Sequence, residues 1–117
     1  MKLYGIPNCN TVKKARDWLE EHAIAYEFHD FKKLGLDTAT AQSWLEQYPW
    51  EKLVNRSGMT WRNLSDTEKN TVVDARSAQV LMQEKTSVIK RPVMVKNDKI
   101  IALGFNETEY AQLFAKE

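Results

Sequence analysis

Residues 2–28 spell a strand, a helix and a strand, and that order leaves the chain few ways to fold. An apolar stretch at 2–6 (Leu3, Tyr4, Ile6) is followed, after Pro7, by a helical pattern at 10–23. In it Val12, Ala15, Leu19 and Ala23 recur at three- and four-residue spacing, while Lys13, Asp17, Glu20 and Glu21 cover much of the remaining surface. Residues 25–28, AYEF, read as a second strand. Two strands joined through a helix of this length pair in parallel with a right-handed crossover. The turn before the helix then lies at the carboxyl end of the first strand, where open α/β sheets carry their sites.

That turn holds the one cysteine of the chain, Cys9. A sulfur at a helix start meets unpaired backbone N–H groups and the positive end of the helix dipole, and both favour an anion. The expectation is a lowered pKa and a nucleophilic thiolate, helped by Lys13, Lys14 and Arg16 within the next two turns. Asn8, Asn10 or Thr11 supplies an oxygen for the helix cap. A structural cysteine would more often sit on the apolar face of an element. Cys9 sits instead in a polar turn, between Asn8 and Asn10.

The rest of the 117 residues extends this start into a single domain. Residues 33–85 read as a helical insertion. Asp37 caps a helix carrying Ala41, Trp44, Leu45 and Tyr48 that Pro49 ends, and Asn55, Ser57 and Gly58 mark turns. Ser65 with Glu68 has the form of a capping box, and a further helical pattern runs through Val73, Ala75, Val80 and Leu81. Strands follow at 93–95 and 100–103 around a tight turn at Asn97 and Asp98, then a helix at 107–114 with Tyr110, Leu113 and Phe114 on one face. The sum is an α/β fold, a thioredoxin-like βαβ–ββα core with a helical insertion between the second and third strands.

Charge and composition narrow the partners. With 17 Lys and Arg against 16 Asp and Glu, the chain has no overall electrostatic case for nucleic acid or an anionic membrane. One cysteine rules out an internal disulfide and an all-cysteine metal cluster, and no metal site is expected, since His22 and His29 lack ligand-like spacing. No leader-like start and no long apolar run are evident, so the expected location is cytoplasmic. Trp18, Trp44, Trp50 and Trp61 are read as packing residues.

Three stretches carry a family resemblance: the opening YGIPNCNTVKKAR at 4–16, the loop NRSGMTWR at 55–62, and IKRPV at 89–93. Together they resemble the ArsC-like family of thioredoxin-fold proteins over nearly the full length, nearest its YffB subgroup. That subgroup is related to glutaredoxin-coupled arsenate reductases and to the Spx and MgsR regulators. The resemblance implies that Cys9 is the nucleophile, that Arg91 lowers its pKa and binds the anion, and that Pro92 is the cis-proline facing it. Three departures qualify what carries over. Gly5 stands where arsenate reductases have a histidine, Phe105 where they have a third anion-binding arginine, and Val12 where Spx-type regulators have a second switch cysteine.

Arsenate needs several forked donors to replace its hydration, so the missing arginine moves arsenate to second place as a substrate. A lone thiol also needs a second thiol from solution to resolve any mixed disulfide. The reading is therefore a glutathione-dependent thiol reductase with no resident cofactor and glutathione as co-substrate, acting on disulfide or glutathionylated substrates, with glutaredoxin as a further partner. Lys13, Arg56 and Arg91 would hold a tripeptide carboxylate, with Asn10, Thr11 and Pro92 lining the sulfur site. The alternative of another class is a regulator that docks on RNA polymerase without catalysis.

Overall fold

The computed structural model describes residues 1–115, which group into two compact units. One unit comprises Met1–Asp30 and the segment from Arg91 onward; the other is Phe31–Lys90.

The first unit is built on a four-stranded sheet in the order β2-β1-β3-β4. Strand β1 (Lys2–Gly5) leads into α1 (Asn10–Glu21) and then β2 (Glu27–Asp30), and β2 lies parallel to β1 with Leu3 opposite Phe28. Strand β3 (Val93–Lys96) pairs antiparallel with β1 on its other side, Leu3 opposite Met94. Strand β4 (Lys99–Leu103) returns antiparallel to β3 with a bulge at Met94 and Val95. Asn97 and Asp98 make that hairpin turn with φ of 52° and 65°, the left-handed pair that suits the twist of the strands.

Leu3, Met94 and Ala102 form one row across three strands, and they share a buried cluster with Ala15, Trp18 and Leu19 of α1 and with Tyr110 of the last helix. Trp18 meets Tyr110 edge-on at 5.5 Å between ring centres, and Phe105 does the same at 4.8 Å. Phe114 is partly buried against this core, whereas Leu113, expected on the same face, is 42% exposed.

Helix α1 ends earlier than its apolar pattern suggests. The N–H of Ile24 returns to Leu19 O and that of Ala23 to Glu20 O, so Ala23 takes the left-handed position after the cap with φ of 56°. It is exposed, and β2 begins only at Glu27, two residues later than the 25–28 expected. Alanine carries a steric cost in this conformation that glycine does not. Ala23→Gly is therefore expected to stabilise the protein by roughly 0.5–1 kcal/mol, seen as a higher urea midpoint at unchanged slope.

The second unit is helical. It contains α2 (Phe31–Leu34), α3 (Thr38–Gln47), α4 (Trp50–Leu53), α5 (Met59–Arg62), α6 (Asp66–Asn70) and α7 (Ala75–Glu84), then a 3-10 turn at Thr86–Val88. Its limits are wider than the 33–85 read from the sequence, because Phe31 already opens a helix and Ile89 forms a bridge to Val54. Asp37 caps α3 by accepting from the Thr40 N–H at 2.8 Å, and Ser65 with Glu68 completes its capping box on α6. A second box, Asp74 with Ser77, starts α7 and leaves Val73 outside the helix and 70% exposed. The buried face of α7 is Ala78, Leu81 and Met82, so of the expected pattern through Val73, Ala75, Val80 and Leu81 only Leu81 is buried, with Val80 52% exposed. Trp44 is buried, with Phe31 edge-on at 6.3 Å.

Candidate functional site

Pro7 ends the first strand segment and Cys9 takes an extended conformation, φ −112° and ψ 124°, as the cap residue of α1. Its carbonyl receives the first helical bond, from the Lys13 N–H at 2.9 Å. Asn10, Thr11 and Val12 are then the first three helical residues, and the amides of the second and third are those a cap side chain can reach. The neutral thiol forms no cap hydrogen bond. The anion, however, is favoured by these groups.

Cys9 is half-buried. Burial alone pushes its thiol up. The backbone N–H of Val12, the Arg91 guanidinium through both a hydrogen bond and its charge, and the Thr11 N–H together outweigh that and hold it below the ordinary value. Arg91 lies two residues before β3, joined to Pro92 by a cis peptide bond. The buried Pro92 accepts from the Gly104 N–H at 2.8 Å, which ties this corner to the end of β4. The structure thus brings together Cys9, the amides of Thr11 and Val12, and Arg91 from the far end of the chain.

The nearby cations contribute differently from the sequence expectation. Lys13 and Lys14 are exposed, and neither they nor Arg16 is among the groups that move the sulfur's pKa. Arg16 lies 4.0 Å over the Phe28 ring and donates from Nε to the Tyr26 hydroxyl at 3.0 Å, so it fastens α1 to β2. Asn10 and Thr11 have exposed side chains. Arg56 and Arg62 belong to the second unit and are exposed there, Arg56 lying 5.4 Å from the Trp50 ring centre. His22 stacks on Trp18 at 3.8 Å at the end of α1, and His29 lies against Tyr4 at 4.4 Å. Among the described residues, no group of three or more His, Cys, Asp or Glu side chains could hold a metal ion, and no helix is long and apolar enough to cross a membrane.

Val12 is the site residue that sequence reasoning left among the core positions. Its place three residues after a capping cysteine is the signal that would have found it, because that is where a cap's partner amide falls. Phe105, just after β4, packs edge-on against Tyr110 and is partly buried against the core.

The profile described as the ArsC family matches residues 4–113. Among solved structures, the YFFB protein is 40% identical with a TM-score of 0.90, covering 97% of this chain and 98% of the other. An arsenate reductase (ArsC) related protein from Brucella melitensis is 46% identical with a TM-score of 0.77, covering 98% and 94%. An uncharacterised protein of Haemophilus influenzae is 42% identical over 97% of each chain. The global transcriptional regulator Spx of Enterococcus faecalis is 25% identical over 100% of this chain and 88% of the regulator.

Proposed function

Since the chain belongs to the ArsC family, we propose that it is a thiol oxidoreductase that uses Cys9 as its only nucleophile and glutathione as the resolving thiol. The observation that carries this reading is the convergence of the Val12 N–H and the Arg91 guanidinium on Cys9, which lowers the thiol's pKa despite its partial burial. The Cys9 thiolate attacks the glutathione sulfur of a mixed disulfide. A Cys9–glutathione bond forms, the substrate's S–S bond breaks, and the substrate leaves as a thiolate that takes a proton from water. A second glutathione thiolate then attacks the sulfur of the bound glutathione, releasing glutathione disulfide and restoring the Cys9 thiolate. The net change converts the mixed disulfide and one free glutathione into the substrate thiol and glutathione disulfide: the incoming glutathione sulfur is oxidised from thiolate to disulfide as the substrate sulfur is reduced from disulfide to thiol.

Within the first unit, Arg91 is suited to a peptide carboxylate by its forked donors, with the exposed Lys13 as a second positive charge. Phe105 disfavours arsenate as the main substrate, because a compact, strongly hydrated oxyanion would meet a ring in place of a guanidinium.

The direct test is reaction of the protein with glutathione disulfide followed by mass spectrometry. One glutathione is expected on Cys9, released by added glutathione, with turnover of a glutathionylated peptide. No adduct and no turnover, with arsenate reduced instead, would move the assignment to arsenate reductase.

The pH dependence gives a second test. Arg91→Met removes a hydrogen bond and a positive charge from the thiolate and leaves burial less opposed, so the ionisation midpoint of Cys9 must move upward. The thiolate fraction at neutral pH falls with it. Alkylation by iodoacetamide, followed from acid to alkaline pH, is expected to show both effects; an unmoved midpoint would remove Arg91 from the site.

The full-length similarity to Spx favours one second reading, a regulator working through protein contacts, with RNA polymerase as the implied partner. Equal capture of the polymerase α subunit by the wild-type and Cys9→Ser proteins, without disulfide turnover, would select it.

A further inference from the structure

We propose that Gly5 and Val12 form a matched contact that sets how closely the first turn of α1 lies against the end of β1, and so holds the Val12 N–H at the Cys9 sulfur. The inference rests on Cys9 being the nucleophile. A Cβ placed on Gly5 would stand 2.8 Å from Cγ2 and 3.1 Å from Cγ1 of Val12, with Phe28 Cε1 at 3.6 Å. Unstrained carbon contacts lie at about 3.5–4.0 Å, so a methyl at position 5 can enter only if Val12 moves.

The glycine answers a need for space rather than for an unusual backbone. Positive φ belongs to Gly35 and Gly104, not to Gly5. Val12 is fully buried, and a β-branched side chain in a helix has essentially one rotamer available. It cannot swing aside, so its displacement must be taken up by the backbone of the first turn. The amide in that backbone is the group, after burial, with the largest influence on the sulfur's ionisation. One residue is thus a spacer through its side chain and an anion contact through its N–H.

Gly5 and Val12 are therefore positioning residues. The charged group acting on the sulfur is Arg91, which reaches it from the start of β3, while Lys13, Lys14 and Arg16 on α1 do not contribute. The contact between β1 and α1 is consequently separable from the guanidinium.

The test uses the full chain with Gly5→Ala, Val12→Ala and both together. Thiolate formation is followed by ultraviolet absorbance and alkylation rate against pH, and stability by urea unfolding. Gly5→Ala is expected to raise the ionisation midpoint and slow alkylation at pH 7 in proportion to the thiolate lost. In the double variant the space vacated by two methyls admits the added one, so the midpoint returns towards that of the wild type, a coupling of opposite sign to the Gly5→Ala effect. A fall in stability with an unmoved midpoint in Gly5→Ala, or a double variant no better than Gly5→Ala, overturns the proposal. Should Gly5→Ala not fold, the double variant decides: a midpoint like the wild type's supports the pairing, and a raised one refutes it. A wild-type midpoint already at the free-cysteine value would instead strike at Cys9 as nucleophile.

Discussion

Cys9→Ser is expected to fold as the wild type does and to lose thiol transfer by roughly four orders of magnitude or more, as happens when a covalent nucleophile is removed. The size of the effect follows from there being no second thiol in the chain to take over. A serine hydroxyl stays protonated in surroundings that lower the thiol's pKa, so the Val12 amide, Arg91 and the Thr11 amide are left facing a neutral group. The fold itself should change little, because Cys9 is half-buried and its carbonyl still accepts the first bond of α1. The pH dependence of stability adds a check. A thiol whose folded pKa is lowered stabilises the fold fully above its unfolded pKa of about 8.5, and that contribution disappears as pH falls through the folded value. Urea titrations at alkaline and neutral pH should show this gain in the wild type and its absence in Cys9→Ser. Retention of glutathione-coupled turnover by Cys9→Ser would end the enzymatic reading.

Tyr110→Ala is expected to give the largest loss of stability, about 3–5 kcal/mol, as for other large aromatic truncations in cores. Tyr110 belongs to α8 (Glu107–Leu113) and is fully buried where Trp18 and Phe105 meet it edge-on. Its removal opens a void beside the row that Leu3, Met94 and Ala102 form across the sheet. Against a typical total of roughly 5–15 kcal/mol, such a loss leaves little margin. The hydroxyl matters much less. It reaches Gly104 O only at 3.4 Å, so Tyr110→Phe should cost about 1 kcal/mol or less. Urea unfolding of the two variants separates packing from hydrogen bonding; near-equal midpoints would show that the ring is not what α8 contributes.

The elements with local signatures were legible in the sequence. Asp37 and Ser65 announce helices through side chains that bond amides three residues on, and Asn97 with Asp98 announces a hairpin through residues that tolerate a left-handed backbone. The end of α1 was not, because Ala23 occupies a position where glycine is the usual marker and so continued the apolar pattern. Val80 misled for a related reason: periodicity shows that a helix has an apolar stripe but not which neighbouring positions gain cover. At the site, the helix start around Cys9 could be read directly, whereas the source of its positive charge could not. Lys13, Lys14 and Arg16 are near in sequence, yet what reaches the sulfur is Arg91, pointed out by family likeness rather than by any local pattern.

The sheet unit is assembled from both ends of the polypeptide, with the helical unit spelled out between them. On the ribosome, β1 emerges early and can pair with β2, but its other edge waits for β3 until Phe31–Lys90 has been translated. For that interval the nascent chain carries an open strand edge and a Leu3 still without Met94, Ala102 and Tyr110, the kind of surface that invites wrong partners. The helical stretch has no such wait. All of its own contacts are available once Lys90 is out, so order during synthesis should run from the middle of the gene product outwards, with the corner around Cys9 and Arg91 the last part to close.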